Sequence, residues 1–312
     1  MHILITGAGG FVGRNLVQRL MATTTALAWT RLTLVDLQLP NFEADPRIVC
    51  LAGSLADPDL LARAVAIPVD VAFHLASVPG GAAERNYELG YQVNLHATLR
   101  LFDLLQNGSK APRVVFASTI AVYGSPLPAV VDEGTPLRPG LTYGAHKLMA
   151  EVQLEDLSRR GRLDGISLRL PGIVARPPQT SGLLSAFMSD VFWKLRDGEE
   201  FVCPVSEQGT AWWMSVGCCV DNLLHAACLP AGVLDAKRSL ALPVLHLRMS
   251  QVVEGLMRYL GPGHSGRVTY VPDPTLDRTF AMYPPMVTPT AHELGFRHDG
   301  SIDNLVKRTL EG

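Results

Sequence analysis

The 312-residue sequence has few cysteines, and they form no recognisable ligand or disulfide pattern. The five are Cys50, Cys203, Cys218, Cys219 and Cys228, an odd number without a Cys-x-x-Cys pair. Such a set argues against a disulfide framework and against a structural zinc site. The histidines are also scattered, without the spacing of metal ligands. We therefore expect buried free thiols and no bound metal.

An excess of positive charge is also lacking. Charged residues make up 18% of the chain and the formal net charge is −2, so there is no basic face to attract nucleic acid or an anionic membrane. No apolar run is long enough to cross a bilayer, and the first residues, Met1 to Thr6, lack the basic and apolar parts of a signal peptide. We expect a cytoplasmic protein with a small-molecule substrate and no nucleic-acid or membrane partner.

The first half of the chain alternates short β-branched runs with longer helical patterns, which is typical of βαβ units and a parallel sheet. The predicted strands there are residues 2–6, 31–35, 47–51, 69–75, 113–117 and 166–169. The predicted helices are residues 11–21, 57–66, 84–106 and 143–160. After a proline-rich loop at 171–178 the pattern is mixed, with predicted helices 183–196, 217–229, 250–260 and 301–310 and predicted strands 244–247 and 267–271.

These patterns predict an α/β protein with a Rossmann-type doubly wound parallel sheet and a smaller mixed α/β C-terminal domain. We place the first domain at residues 1–170. Residues 171–312 form the predicted second, substrate-binding region, some segments of which are expected to pack back on the first domain.

A glycine-rich segment, Thr6 to Gly13, follows the first predicted strand and opens the first predicted helix. Gly7 allows the tight turn out of the strand, Gly10 allows close approach of a pyrophosphate, and Gly13 allows the helix to pack against the sheet. The N–H groups of a helix that begins at Phe11 and Val12 would then face the phosphates. Strand, turn and helix together predict a dinucleotide site.

Asp36 ends the second predicted strand, at the distance from the glycines where an acidic residue contacts the ribose. A carboxylate there accepts hydrogen bonds from the ribose hydroxyls and repels a 2′-phosphate. The sequence therefore predicts NAD rather than NADP as the cofactor of residues 1–170.

Tyr143 and Lys147 are four residues apart on a predicted helix, so they share one face. A neighbouring ammonium lowers the pKa of a phenol, so Tyr143 can accept a proton from a hydroxyl while hydride leaves the same carbon. Ser118 and Thr119 follow the strand 113–117, on the edge of the sheet where ligands bind. A hydroxyl there can position the reacting oxygen.

These segments, in this order, resemble the extended short-chain dehydrogenases/reductases. The similarity includes the glycine loop, Asp36, His74-Leu75-Ala76, Asn94, Ser118-Thr119 with Val122-Tyr123-Gly124, and Tyr143 to Lys147. The resemblance implies that Thr119 is the hydroxyl partner of the catalytic Tyr143. It also implies that Asn94 braces the strand ends. The further cofactor contacts that it implies are Ser54, Leu55, Leu75, Ala76, Asn94, Tyr143, Lys147 and Pro171. Ser54 stands where many relatives carry an aspartate that contacts adenine.

Within this superfamily the chain is similar to the D-erythronate dehydrogenases, which oxidise the 2-hydroxyl of a four-carbon sugar acid with NAD. The similar segments include Ser77 to Glu84, Leu89 to Asn94 and Ser158 to Gly161. A substrate of this kind needs anchors for a carboxylate and several hydroxyls. The predicted substrate-binding residues are Ser77, Gly81, Ser118, Thr119, Tyr143 and Arg176.

Two other functions remain open from the sequence. A nucleotide-sugar epimerase or dehydratase shares the fold, although residues 209–216 lack the arginine that such enzymes usually carry. A regulator that binds NAD without catalysis is the other, and the presence of Thr119, Tyr143 and Lys147 argues against it. The resemblance also implies a homodimer that pairs through the helices 84–106 and 143–160.

Overall fold

The computed structural model describes residues 1–22, 27–40, 45–106, 108, 110–178, 184–234 and 237–311. The contacts between Cα atoms divide the chain into two compact units. Unit 1 consists of Met1–Val122, Pro139–Arg169 and Val220–Leu240. Unit 2 consists of Tyr123–Arg138, Leu170–Cys219 and Ala241–Gly312. Each unit is therefore assembled from three separate stretches of sequence.

Twelve strands occur in the described residues, in three sheets. In chain order they are β1 His2–Thr6, β2 Arg31–Asp36, β3 Ile48–Ala52, β4 Val71–His74, β5 Arg113–Thr119, β6 Asp164–Leu170, β7 Gly172–Val174, β8 Glu200–Cys203, β9 Thr210–Ser215, β10 Ser239–Ala241, β11 Leu245–Arg248 and β12 Arg267–Tyr270. Seven of them form one sheet in the order β10-β6-β5-β4-β1-β2-β3.

The described residues also contain twelve α-helices. They are α1 Phe11–Met21, α2 Pro58–Ala64, α3 Gly80–Arg85, α4 Tyr87–Gly90, α5 Ala97–Leu105, α6 Thr142–Arg159, α7 Phe187–Arg196, α8 Val216–Cys228, α9 Met249–Leu260, α10 Pro274–Phe280, α11 Pro289–Glu293 and α12 Ile302–Leu310. A π-helix, Tyr91–His96, joins α4 to α5, and a 3₁₀ turn, Ile120–Tyr123, follows β5.

The large sheet confirms the predicted Rossmann-type fold. Strand β1 pairs in parallel with β2 on one side and with β4 on the other, and β2–β3 and β4–β5 are also parallel pairs. The chain thus runs from β1 outward to β3, and then crosses back to continue from β4. Ligands of such sheets bind where the strand order reverses, at the carboxyl ends of the strands. That point lies between β1 and β4.

The core of unit 1 explains why these strands read as continuous apolar runs. Every residue of β1 and β5 is buried, as expected for a parallel sheet covered on both faces. Helix α1 buries Gly13, Leu16, Val17 and Leu20, a spacing that places them on one face of a helix. In α2, Asp57 is the N-cap and accepts a hydrogen bond from the backbone of Asp59, with Pro58 at the first helical position; both residue types are favoured at the start of a helix.

Arg113 explains why residues 220–240 belong to unit 1. It is buried at the start of β5, and its guanidinium donates to the carbonyl oxygens of Ala226 and Leu229 at 2.5 and 2.8 Å. It also pairs with Asp164 on β6 at 2.7 Å. A planar cation with five donors can satisfy these acceptors together, so one side chain ties this late segment to the sheet.

The prediction of one continuous helix over residues 84–106 is wrong. Residues 84–106 form four successive segments, and the chain bends at Asn86, which has φ −136° and ψ 87°. Its side chain accepts a hydrogen bond from the backbone of Leu89 and so caps α4. Asparagine favours such a cap because its side chain competes with the helix for backbone donors. The helical pattern continues past the bend, which is why the periodicity did not show it.

Unit 2 contains two small sheets. Strands β11, β9 and β7 form one, and β12 pairs with β8 in the other. The sequence predicts most of the helices here but not β7, β8 or β9. Trp212 and Trp213 on β9 are both 1% exposed. Trp213 packs in the hydrophobic core of unit 2, and Trp212 packs on Tyr283 with ring centroids 4.6 Å apart. Core packing thus accounts for both side chains.

The expectation of buried thiols is only partly correct. Cys203, Cys218 and Cys219 are buried, whereas Cys50 and Cys228 are exposed. Cys50 lies on β3, the edge strand of the large sheet, and Cys228 is the last residue of α8. In the described part of the chain, no helix is both long and apolar enough to cross a membrane.

Candidate active site

The segment that leads from β1 into α1 has no room for a side chain at Gly7, Gly9 or Gly13. Gly7 has a φ of +76°, and a Cβ atom there would lie 2.6 Å from the backbone nitrogen of Ala76. A Cβ atom on Gly13 would lie 2.0 Å from the carbonyl oxygen of Gly7. Gly7 therefore allows the turn to approach the segment after β4, and Gly13 allows α1 to approach the turn.

Gly10 differs from these three glycines, because the protein leaves space beside it. It is the N-cap of α1, and a Cβ atom on it would come within 4 Å only of the Gly7 carbonyl oxygen, at 3.3 Å. No side chain caps this helix, and its first turn, which begins with Phe11 and Val12, holds no acidic residue. An exposed glycine at the positive end of an uncapped helix fits the approach of a pyrophosphate.

Asp36 joins the end of β2 to the glycine turn. Its Oδ2 accepts a hydrogen bond from the backbone of Gly9 at 2.9 Å, and its Oδ1 accepts one from Leu37 at 2.7 Å. A carboxylate offers about four acceptor sites, so two bonds leave capacity for hydroxyl donors. The half-buried Asp36 therefore fits a ribose with free hydroxyls better than one with a 2′-phosphate.

The end of β4 is organised around a buried neutral histidine. Thr6 Oγ1 and His74 Nδ1 are 2.6 Å apart, and His74 Nε2 lies 2.8 Å from Thr98 Oγ1. Burial, with a smaller contribution from the positive charge of Lys147, lowers the pKa of His74 to about 3. The neutral ring thus links β1, β4 and α5, and sets the start of the segment that contains Leu75 and Ala76, beside Gly7.

Asn94 holds the same segment from the helical side. It is 1% exposed, its Oδ1 accepts from the backbone of Val78 at 2.6 Å, and its Nδ2 donates to the carbonyl of Val78 at 3.0 Å. A reciprocal pair of this kind fixes a loop as a strand partner would. Ser54 and Leu55 follow β3, where Ser54 Oγ accepts from the backbone of Ala56 at 3.2 Å.

The predicted Tyr143–Lys147 pair lies on the first turns of α6. Lys147 is 1% exposed, and its Nζ lies 5.8 Å from the centroid of the Tyr143 ring. The ammonium donates to the carbonyl of Ala117 at 2.7 Å and lies 4.5 Å from the centroid of the Phe116 ring. Burial lowers the pKa of Lys147 to about 7, and the charge of Glu151 opposes that shift. The cation is thus held close to the phenol by strand β5.

Glu151 is a site residue that the sequence reasoning did not identify. It lies one turn after Lys147, is 1% exposed, and accepts hydrogen bonds from Ser118 Oγ and from Arg169. The Arg169–Glu151 ion pair has a shortest distance of 2.7 Å. Arg169 therefore has a structural partner on α6. The four-residue spacing from Lys147 to Glu151 places both side chains on one face of α6, but it does not show that this face is buried.

Thr119 and Ser118 end β5, where adjacent side chains point to opposite faces. Thr119 is 8% exposed, and its Oγ1 accepts a hydrogen bond from the backbone of Ala121 at 3.1 Å. A hydroxyl that accepts there still has its proton to donate. Ser118 Oγ instead donates to Glu151. The role of Thr119 beside Tyr143 and the substrate role of Ser118 stay predictions.

The segment that contains Ser77 and Gly81 contacts the start of α6. A Cβ atom on Gly80 would lie 3.6 Å from the Cβ of Tyr143, and the Glu84 carboxylate accepts a hydrogen bond from the backbone of Thr142. This carboxylate serves as a cap for a helix whose N-cap residue, Leu141, supplies no side-chain bond. The neighbourhood of Tyr143 is therefore linked directly to the predicted substrate segment.

Two predicted site residues belong to unit 2. Pro171 follows β6 and is buried. Arg176 follows β7, where its backbone donates to Ser189 Oγ at 3.0 Å and its carbonyl accepts from Trp193 Nε1 at 2.6 Å. These bonds hold the Arg176 backbone against α7. The cofactor role of Pro171 and the substrate role of Arg176 stay predictions.

Comparison with known proteins places this geometry in a family. Residues 3–225 match the NAD dependent epimerase/dehydratase family. The chain belongs to this family. The match contains the glycine turn, Asp36, Thr119, Tyr143 and Lys147. The family and the shape of the turn together establish a nicotinamide cofactor for the enzyme.

The individual relatives include enzymes of two kinds. The chain is 34% identical to a D-erythronate dehydrogenase of Cupriavidus necator, with all of this chain and 98% of the relative covered. It is 31% identical to one of Haemophilus influenzae, with 100% and 99% covered. The crystal structure of a nucleoside-diphosphate-sugar epimerase from Agrobacterium tumefaciens superposes with a TM-score of 0.92, at 33% identity, over 100% of this chain and 94% of the other.

Proposed function

We propose that the chain is an NAD-dependent dehydrogenase of a small sugar acid, with D-erythronate as the substrate to test first. The reaction would oxidise the 2-hydroxyl to a ketone, giving 2-oxo-erythronate, NADH and a proton. The observation that carries the proposal is the buried Lys147 ammonium close to the Tyr143 ring. The similarity over full length to two D-erythronate dehydrogenases supports the choice of substrate.

In this proposal the protein's part of the chemistry is proton transfer and orientation. Tyr143 accepts the hydroxyl proton, and the Lys147 ammonium stabilises the phenolate that does so. Thr119 Oγ1 donates to the reacting oxygen and orients it. When bound, the nicotinamide supplies the hydride acceptor. The glycine turn holds the pyrophosphate of the dinucleotide, and Asp36 holds its adenosine ribose. Further contacts come from Leu55, Leu75, Ala76 and Pro171.

We assign the substrate carboxylate and the remaining hydroxyls to Ser77, Gly81 and Arg176. Gly81 is in α3, next to Gly80, which lies beside Tyr143. A small acid held there would present its 2-hydroxyl to the phenol, and the guanidinium of Arg176 suits a carboxylate because it can bind both oxygens. Arg176→Lys is expected to raise KM for the acid more than it lowers kcat.

A nucleotide-sugar epimerase is the second candidate, favoured by the 0.92 TM-score with the Agrobacterium tumefaciens structure. Residues 211–215 of β9 argue against it, because they are apolar or small and all are buried. A diphosphate needs cationic partners, and that strand offers none within the described residues. An epimerase would also return its hydride, and so would produce no net NADH.

The deciding assay measures absorbance of NADH at saturating NAD with D-erythronate, L-erythronate, D-threonate, D-glycerate and UDP-glucose as separate substrates. Turnover of the acids, abolished by Tyr143→Phe, supports the proposal. Tyr259→Phe is the matched control, since Tyr259 is exposed on α9 and its hydroxyl donates a hydrogen bond to Glu311 at 2.8 Å. Epimerised sugar without net NADH contradicts the proposal, and tight NAD binding without any turnover would favour the regulator.

We further propose a homodimer that pairs through α6 and the helical segments between residues 84 and 106. Large apolar side chains are exposed on both, with Tyr87 59%, Leu89 44%, Met149 46% and Val152 59% accessible. Patches of this kind in a soluble enzyme indicate a covered surface. Light scattering should give twice the 33.7 kDa chain mass, and Val152→Glu should shift it toward the monomer. A wild-type monomer at micromolar concentration would contradict the assignment.

A further inference from the structure

Behind the candidate active site lies a buried cluster of three charged residues and one hydroxyl. Lys147 and Glu151 are each 1% exposed, Ser118 is 2% exposed and Arg169 is 8% exposed. Charged side chains are almost never buried this deeply unless they are paired. Arg169 and Glu151 neutralise one another, which leaves the ammonium of Lys147 as the net charge of the cluster.

The cluster fastens helix α6 to strand β5 at two consecutive residues. Lys147 donates to the carbonyl of Ala117 at 2.7 Å, and Ser118 Oγ donates to Glu151. Arg169 on β6 binds Glu151 through two nitrogens, with Nε at 3.1 Å and Nη2 at 2.7 Å. Thr119 is the next residue of β5. The carboxylate of Glu151 is therefore the point at which the strand end, the helix and β6 meet.

The electrostatic surroundings of Lys147 single out the same carboxylate. The groups that face it are His74 on β4, which is neutral, Tyr143 and Glu151 on its own helix, and Arg169 on β6 beyond Glu151. Strand β5 contributes only the Phe116 ring and the Ala117 carbonyl. Among the described residues, Glu151 is thus the one anion acting on Lys147.

We propose that Glu151 is a positioning residue of this site, a buried counterion that keeps Lys147 charged beside Tyr143 and anchors the strand end that carries Thr119. The inference rests on the proposed dehydrogenase chemistry, in which the ammonium stabilises the phenolate. Neutralising Glu151 removes the negative charge that acts on the buried Lys147 ammonium. Lys147 then loses its proton at lower pH, and the stabilisation of the Tyr143 phenolate is lost with it.

The test reads the charge of Lys147 directly and needs no turnover. The sequence contains five lysines, Lys110, Lys147, Lys194, Lys237 and Lys307, so protein labelled with 13C at the lysine ε-carbon gives a small set of NMR signals. The signal that is missing in Lys147→Arg identifies the buried residue. In the full chain its titration midpoint should lie near the value of about 7 set by burial. In Glu151→Gln it should fall by about one to two pH units, as a unit charge one helical turn away implies.

Three further variants separate the counterion from a merely structural role. Glu151→Asp keeps the charge and should restore most of the midpoint. Ser118→Ala removes one hydrogen bond but no charge, and should leave the midpoint within about 0.3 units of wild type, a shift smaller than that of any lost charge. Arg169→Met removes the competing cation, so the midpoint should rise by about one unit. This last variant decides the question if Glu151→Gln does not fold.

The kinetic counterpart is the alkaline limb of kcat/KM, which should move to lower pH in Glu151→Gln and return in Glu151→Asp. A folded Glu151→Gln whose Lys147 midpoint equals that of wild type overturns the proposal, as does an unchanged midpoint in folded Arg169→Met. Absence of turnover with any sugar acid would instead contradict the proposed function, and would leave the titration result standing.

Discussion

Replacing Asp36 by asparagine should relax the proposed preference for NAD, so that the enzyme accepts both coenzymes. The carboxylate accepts from Gly9 at 2.9 Å and from Leu37 at 2.7 Å. Asparagine keeps one acceptor oxygen, so one of these bonds is lost, at a cost of about 1 kcal/mol to the turn. A hydrogen bond from a ribose hydroxyl to an ionised acceptor contributes about 1.5–3 kcal/mol, so KM for NAD should rise by roughly 10- to 100-fold.

The same substitution removes a repulsive charge from the 2′-phosphate of NADP. At about 5 Å and an effective dielectric constant of about 40–80, two unit charges repel by roughly 1–2 kcal/mol. The ratio of kcat/KM for NADP to that for NAD should therefore rise by about two to four powers of ten. Asp59→Asn, at an exposed carboxylate in the first turn of α2, controls for loss of one negative charge. An unchanged coenzyme ratio in Asp36→Asn would refute the assignment of the ribose to Asp36.

Two other substitutions test the site by different means. Gly13→Ala places a Cβ atom 2.0 Å from the Gly7 carbonyl oxygen, so fluorescence titration should show NADH affinity at least about tenfold weaker; Gly263→Ala, where nothing lies within 4 Å, should bind as wild type. In the folded chain the pKa of Lys147 is lowered from 10.5 to about 7. Between these two pH values the unfolded chain binds one more proton than the folded chain does. The free energy of unfolding therefore increases with pH, by up to about 1.4 kcal/mol per pH unit. Denaturation with urea from pH 7 to 9.5 should show that slope in wild type and its loss in Lys147→Met, whereas parallel curves would exclude the depressed pKa.

The sequence predicted the inner strands of the large sheet well because β1, β4 and β5 are buried along their whole length. The first and last residues of β1 and α1 are as predicted. The turn between them could be predicted because its crowded glycines cannot be replaced by residues with a Cβ atom. Periodicity failed where polar side chains rather than apolar ones decide the backbone, as at Asn86. It also missed β8 and β9, of which β9 has five consecutive buried residues instead of an alternating pattern.

In the candidate site, too, some residues could be predicted from the sequence and others could not. Asp36, Tyr143 and Lys147 could be found because their spacing from a glycine turn or from each other follows from strand and helix geometry. Glu151 could not, because a glutamate four residues after a lysine usually forms an ion pair on a solvated helix face. Only the packing of α6 against β5 and β6 reveals that this face is buried, together with Ser118 and Arg169.

Burial of the Lys147 ammonium destabilises the folded chain but strengthens the interaction of that charge with Tyr143. Removing an ammonium from water is unfavourable, and the chain offsets this with an aromatic face, one carbonyl and the charge of Glu151. The same low dielectric that makes the burial unfavourable makes the ammonium a strong partner for a phenolate. A lysine exposed to water at position 147 would be easier to accommodate, but its influence on Tyr143 would be screened. In the proposed reaction, the buried ammonium would therefore stabilise the Tyr143 phenolate more strongly than an exposed lysine could.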